Sequence, residues 1–253
     1  MSTTLALGGG EVATVFLVLM RCSGVVIATP LFGHRAVPVP LKAALAALLT
    51  IAVSRDALAA PGAMPVLLAA PIELVIGLCM GFIVSLGFHA VELGSRLLAI
   101  QMGLSLGSVL DPVQLEPGTA LDPFYAIVAA VIFLALNLHL AVVQALDHSF
   151  VSLPIGGGWP SDLFILAGRL TGLTLELGVR AAMPLALVLL LAELGVALVS
   201  RAIPQINVFF LGLPLKILVG IGLAGVALPG VAVSAERIFS FVFTSLNSGT
   251  VSP

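Results

Sequence analysis

Apolar residues fall into six blocks along the chain, Val12–Phe32, Val37–Val53, Pro65–Phe88, Leu121–Leu146, Leu163–Ser200 and Val208–Val233. An α-helix rising ~1.5 Å per residue needs ~20 such residues to cross a bilayer, so each block predicts a spanning helix. The fifth is too long for one simple crossing, and Pro184 within it predicts a division or a kink. A shorter stretch, Leu97–Leu110, has the length of a re-entrant segment or half-helix. The connections Ser54–Met64, Asp111–Asp122 and Leu153–Asp162 each hold Pro and Gly and read as turns or ordered loops. Glu11, with no basic residue before the first block, argues for a retained helix over a cleaved signal. The pattern predicts an all-α, polytopic integral membrane protein.

Composition sharpens this. Of the 253 residues, 60% are hydrophobic and 9% charged, where soluble domains carry ~45–50% and ~25%. Yet Arg21, Glu73, Arg180 and Glu193 lie inside apolar blocks. A charge at the bilayer centre costs roughly 2.5–3.5 kcal/mol even on a lenient scale, so protein must replace lipid around part of these helices. A net charge of −2 offers no polybasic patch for nucleic acid or anionic lipid. Scattered Lys and Arg leave the orientation in the membrane undetermined. Cys22 and Cys79 sit within apolar blocks and read as buried thiols.

Glu92 with Arg96 and Glu176 with Arg180 are spaced i,i+4, acid first, the favourable order on a helix. Arg169, Glu176 and Arg180 fall on one helical stripe. Self-neutralisation in a packed bundle, an ion relay and a subunit interface all remain open for that stripe. Gly77/Gly81, Gly103/Gly107 and Gly168/Gly172 match Gly-x-x-x-Gly, which permits close helix packing. With 26 glycines, such matches also arise by chance.

Catalytic chemistry is not visible. Gly103–Gly107 matches Gly-x-Ser-x-Gly around Ser105, but that elbow needs strand-to-helix alternation, which the chain lacks. His139 or His148 could be nominated as the partner of an intramembrane serine, without support from spacing. The four histidines show no metal-ligand spacing, Asp147-His148 suits a helix terminus, and no phosphate-binding loop precedes a lysine. No cofactor or metal is expected. A secondary transporter using Glu73, Glu176 or Glu193 as proton carrier is a competing reading, though no inverted repeat favours it.

Four landmarks carry a resemblance. They are Pro30-Leu-Phe-Gly-His-Arg35-Ala-Val37-Pro38-Val-Pro-Leu-Lys42, then Gln101-Met102-Gly103 continuing to Asp111-Pro112, then Leu153-Pro154-Ile155-Gly156-Gly157, and finally Arg201-Ala-Ile-Pro204-Gln205-Ile-Asn207-Val-Phe209-Phe-Leu-Gly212-Leu-Pro214. In this order they resemble the export-gate proteins of type III secretion, the FliR type of the flagellum and its injectisome (SctT-type) counterparts. The flagellar pattern fits slightly better.

The resemblance implies a non-enzymatic gate subunit in the bacterial inner membrane, within the flagellar basal body. It would be assembled with FliP-type, FliQ-type and FlhB-type subunits beside an FlhA-type component, and would pass unfolded export substrates. It implies a FliP-like part over 1–170 and a FliQ-like hairpin over 171–253, much of it facing protein where hydropathy assigns lipid. Ser105, Leu106, Val109 and Leu110 would correspond to the channel plug, sealing by dewetting. Arg35, Pro38, Gln101, Met102, Arg201, Pro204, Gln205 and Asn207 would serve assembly. The chain departs from the family in having no aromatic in the plug stretch. It also departs at Asn137-Leu138-His139, where a glycine is usual between the two polar residues.

Overall fold

The computed structural model describes residues 9–34, 36–57, 64–104, 121–202 and 208–248. Every regular element among them is a helix: α1 (Gly9–Ala28), α2 (Pro30–Gly33), α3 (Val39–Ala57), α4 (Val66–Met102), α5 (Asp122–Ala135), α6 (Leu138–Ser152), α7 (Ser161–Ala202) and α8 (Val208–Ser248). Among the described residues, α4 and α7 are long and apolar enough to cross a membrane, and α5 with α6 would make a third span across their break.

Three sequence expectations are revised. Leu97 does not open a separate half-helix, because Leu97–Met102 continue α4 without interruption. The polar run His89–Arg96 that marked the block's end is accommodated inside the helix. Glu92 bonds to His89 and Arg96 on its own face, so these charges need no loop. Nor does Pro184 divide the fifth block, since α7 is one helix of 42 residues, about 63 Å long. The fourth block, in contrast, is broken at Leu136–Asn137. Asn137 adopts φ 54°, ψ 30°, a left-handed conformation that no α-helix can contain. Among residues with a side chain, asparagine tolerates this region best. Asn137→Gly should therefore match or slightly raise thermal stability, whereas Asn137→Val should cost about 1–2 kcal/mol, read as a lowered unfolding midpoint.

The helices distribute into two compact units that are discontinuous in sequence. The first holds α1 to α3, α4 as far as Leu86, α6, the start of α7 to Gly172 and the end of α8 from Phe239. Among the described residues its core is apolar except where Thr14, Arg21, Thr29, Thr50, Glu73, Ser85 and Ser149 are buried. Cys22 and Cys79 are free thiols in this core, and Cys79 Sγ lies 3.8 Å from the Leu163 carbonyl oxygen. The second unit holds Gly87–Leu136 and Leu173–Ile238. There the α7 side chains Met183, Leu187, Leu191, Leu194 and Leu198 are exposed, which makes this helix dependent on lipid or protein for cover.

Candidate functional site

The first unit is organised around Arg21, a charged residue that is fully buried, and the route to it starts with glycine. Gly24 on α1 and Gly77 and Gly81 on α4 have no side chain to hold the helices apart. A Cβ at Gly24 would lie 2.5 Å from the Leu74 carbonyl oxygen, and one at Gly81 would lie 2.8 Å from that of Val25. At Gly77 it would overlap the carbonyl oxygen of Arg21 itself. Contacts advance along both helices together, so α1 and α4 run parallel with their backbones touching. Of the three Gly-x-x-x-Gly matches, Gly77/Gly81 is a packing seam, whereas a Cβ at Gly168 or Gly172 meets nothing within 4 Å.

The seam brings Arg21 to Glu73, one turn before Gly77. Arg21 Nε donates to Glu73 Oε2 at 2.7 Å, and Nη2 approaches the same oxygen at 2.6 Å. Arg21 Nη1 donates to the carbonyl and hydroxyl oxygens of Ser149 at 3.0 and 3.1 Å, and Nη2 to the Leu153 carbonyl at 2.9 Å. All three guanidinium nitrogens are thus engaged, through four hydrogen bonds and the ion-pair contact. Two of the acceptors are carbonyls at the C-terminal end of α6, where the helix dipole favours a cation. The Phe150 ring stacks beneath, 4.3 Å from the guanidinium carbon, adding a cation–π contact.

The other carboxylate oxygen explains the turn after α6. Glu73 Oε1 accepts the Gly156 N–H at 3.1 Å. Gly156 has φ 70°, a left-handed geometry that favours glycine, and Gly157 N–H closes the turn on the Pro154 carbonyl at 3.0 Å. The sequence Leu153-Pro154-Ile155-Gly156-Gly157 is thus the cap over a buried ion pair, with Ile155 buried. Neither partner of the pair announces the other in sequence, 52 residues apart. The available signal was a glycine three or four residues after each charge, Arg21…Gly24 and Glu73…Gly77.

The remaining carboxylates named as possible proton carriers are also engaged. Glu176 pairs with Arg180 on one exposed helix face, and Glu193 Oε1 meets Lys216 Nζ at 2.8 Å. Asp147-His148 lies in the last turns of α6.

Other predicted positions fall as follows. Pro38 is exposed, and its carbonyl accepts the N–H groups of Leu41 and Lys42 as α3 begins. Lys42 Nζ ties that first turn back to the Gly33 carbonyl at 2.8 Å. Gln101 is half-buried and Met102 buried at the end of α4. Gly103 has φ 77° and donates to Ile100, and Leu104 donates to Ala99, each at 3.0 Å. This is a Schellman stop, which explains Gln101-Met102-Gly103 physically. Met102 fills the space a side chain at Gly220 would need. Arg201 is exposed at the end of α7. Arg35, Ser105, Leu106, Val109, Leu110, Pro204, Gln205 and Asn207 lie outside the described residues.

The described residues are those of a helical membrane protein whose central buried charge is paired and whose long apolar faces need lipid or protein for cover. The chain belongs to the family of bacterial export proteins, family 1, whose model matches residues 12–242. It is 31% identical over 237 residues to the flagellar biosynthetic protein FliR of Escherichia coli (strain K12), covering 91% of this chain and 90% of that one. It is 30% identical to the FliR protein of Pectobacterium carotovorum subsp. carotovorum, covering 93% and 92%. Against that of Bacillus subtilis (strain 168) identity is 26%, covering 92% of each.

Proposed function

We propose that this chain is the FliR-type subunit of the flagellar type III protein export gate, contributing to the channel wall without catalysing a reaction. The observation that carries the reading is the match of an export family over 12–242, with flagellar relatives covered nearly end to end. The ion pairing of Glu73, Glu176 and Glu193 supports it over a self-sufficient proton-coupled transporter.

The chain resides in the inner membrane within the basal body, with FliP-type and FliQ-type subunits alongside it. An FlhB-type subunit lies at the entrance and an FlhA-type component nearby. Residues 1–170 form a FliP-like part and 171–253 a FliQ-like hairpin. Arg35, Pro38, Gln101, Met102, Arg201, Pro204, Gln205 and Asn207 serve contacts or helix ends needed for assembly. Exposed aliphatic faces such as that of α7 are covered by those subunits and by lipid, and the translocated cargo is unfolded protein.

Ser105, Leu106, Val109 and Leu110 seal the resting channel, their aliphatic side chains excluding water at a constriction. The fixed stop at Gly103 supports this role, because it sets where the segment leaves α4. Deleting 105–110 should leave the complex assembled and raise ion conductance of the membrane. Unchanged conductance with normal assembly would remove the plug role. Loss of flagellar protein export on deleting the gene, restored by this chain, tests the wider reading. Export unaffected by the deletion would overturn it.

A further inference from the structure

Tyr125 of α5 is the one buried aromatic hydroxyl among the described residues, and its surroundings are unusual. The residue is 2% exposed, and its hydroxyl oxygen has no hydrogen-bond partner among the described residues. A tyrosine placed in an apolar interior normally finds a partner for its hydroxyl, because an unpaired buried polar group is costly. Phenylalanine would avoid that cost altogether.

Tyr125 lines a half-open pocket within the second unit, with room of about 30 Å³ for water. Small residues make most of its wall, with Gly94 from α4 and Gly178 and Ala182 from α7. The volume exceeds the ~10–15 Å³ that a water molecule requires and is far too small for an organic ligand. Two other hydroxyl-bearing side chains complete the wall, Ser95 of α4 and Ser234 of α8. Ser95 Oγ directs its proton toward the Glu92 carbonyl at 2.8 Å and Asp122 Oδ1 at 3.1 Å, and Ser234 Oγ toward the Gly230 carbonyl at 2.8 Å. Both serine oxygens keep lone pairs that can accept, while Tyr125 has a proton to give.

We infer that this pocket is a specific water-binding site, in which a single water accepts from the Tyr125 hydroxyl and donates to Ser95 and Ser234. Three hydrogen bonds are the usual complement of a buried water. The water joins α4, α5 and α8 in the second unit and extends the Asp122–Ser95 bond into the interior. It leaves the small-residue wall tight, because no side chain has to reach across. The site stands independently of the export-gate reading.

The test uses the complex that contains this chain, purified in mild detergent. Tyr125→Phe should lower the midpoint of thermal unfolding by a few degrees. Ser234→Ala should lower it too, and the double variant should fall no further than the worse single one, since both act through the same water. A high-resolution map of the parent complex should show a density peak about 3 Å from the Tyr125 hydroxyl oxygen. A Tyr125→Phe midpoint equal to or above the parent's would overturn the inference, and so would a map with no peak there.

Discussion

Replacing Arg21 by Met should strip most of this chain from the membrane, and so should replacing Glu73 by Leu. Either change leaves the other charge buried without its partner, and breaking a buried pair this way costs about 3–5 kcal/mol. Folding reserves are commonly about 5–15 kcal/mol, so the loss is large. Removing Arg21 also takes the side-chain donor from the Leu153 carbonyl and leaves that of Ser149 with the Leu153 N–H alone, and removing Glu73 also frees the Gly156 N–H. The double variant, Arg21→Met with Glu73→Leu, should recover part of the loss, because no charge is then stranded. A swap, Arg21→Glu with Glu73→Arg, should not recover it. It would set a carboxylate against the carbonyls of Ser149 and Leu153 and an arginine against the Gly156 N–H. Immunoblots of membrane fractions decide this. Parent levels for both single variants would show that the pair does not hold the first unit together, and full rescue by the swap would show that only opposite charge matters.

The second large effect belongs to the seam that brings those charges together. Gly77→Val should separate α1 from α4, because the new Cβ would overlap the Arg21 carbonyl, a backbone atom that cannot swing away. Overpacking of this kind costs about 1–3 kcal/mol or more, and here it also draws Arg21 from Glu73. Gly24→Val should behave alike. Gly168→Ala and Gly172→Ala offer the contrast: each sits in a helix with open space around it, so Ala should be neutral or stabilising by up to about 1 kcal/mol. Chain abundance and flagellar export in strains carrying each variant give the comparison. Equal tolerance at all four glycines would refute the seam.

These effects also mark what could be read from the sequence. Helical, membrane-type architecture follows from apolar blocks of spanning length. Block edges do not, because hydropathy treats a charge as an interruption. At His89–Arg96 the charges satisfy one another along one helix face, and α4 runs on past them. At Asn137 the reverse happens, since apolar residues flank a backbone conformation that hydropathy does not register. The Gly-x-x-x-Gly pattern was equally ambiguous. Gly77/Gly81 and Gly168/Gly172 look alike until Gly24, 53 residues before Gly77, is placed opposite the first pair. Arg21 and Glu73 were each legible as charges in need of protein surroundings. Their pairing was not, because it depends on that seam and on a turn more than 80 residues beyond Glu73.

The central claim is membership of an export gate, and co-purification tests it most directly. A tagged copy of this chain, extracted from its native host in mild detergent, should bring down small FliP-type and FliQ-type membrane proteins in one large complex, identified by mass spectrometry. Recovery of the chain alone or as a homodimer, with those proteins present in the same membranes but unbound, would contradict the account.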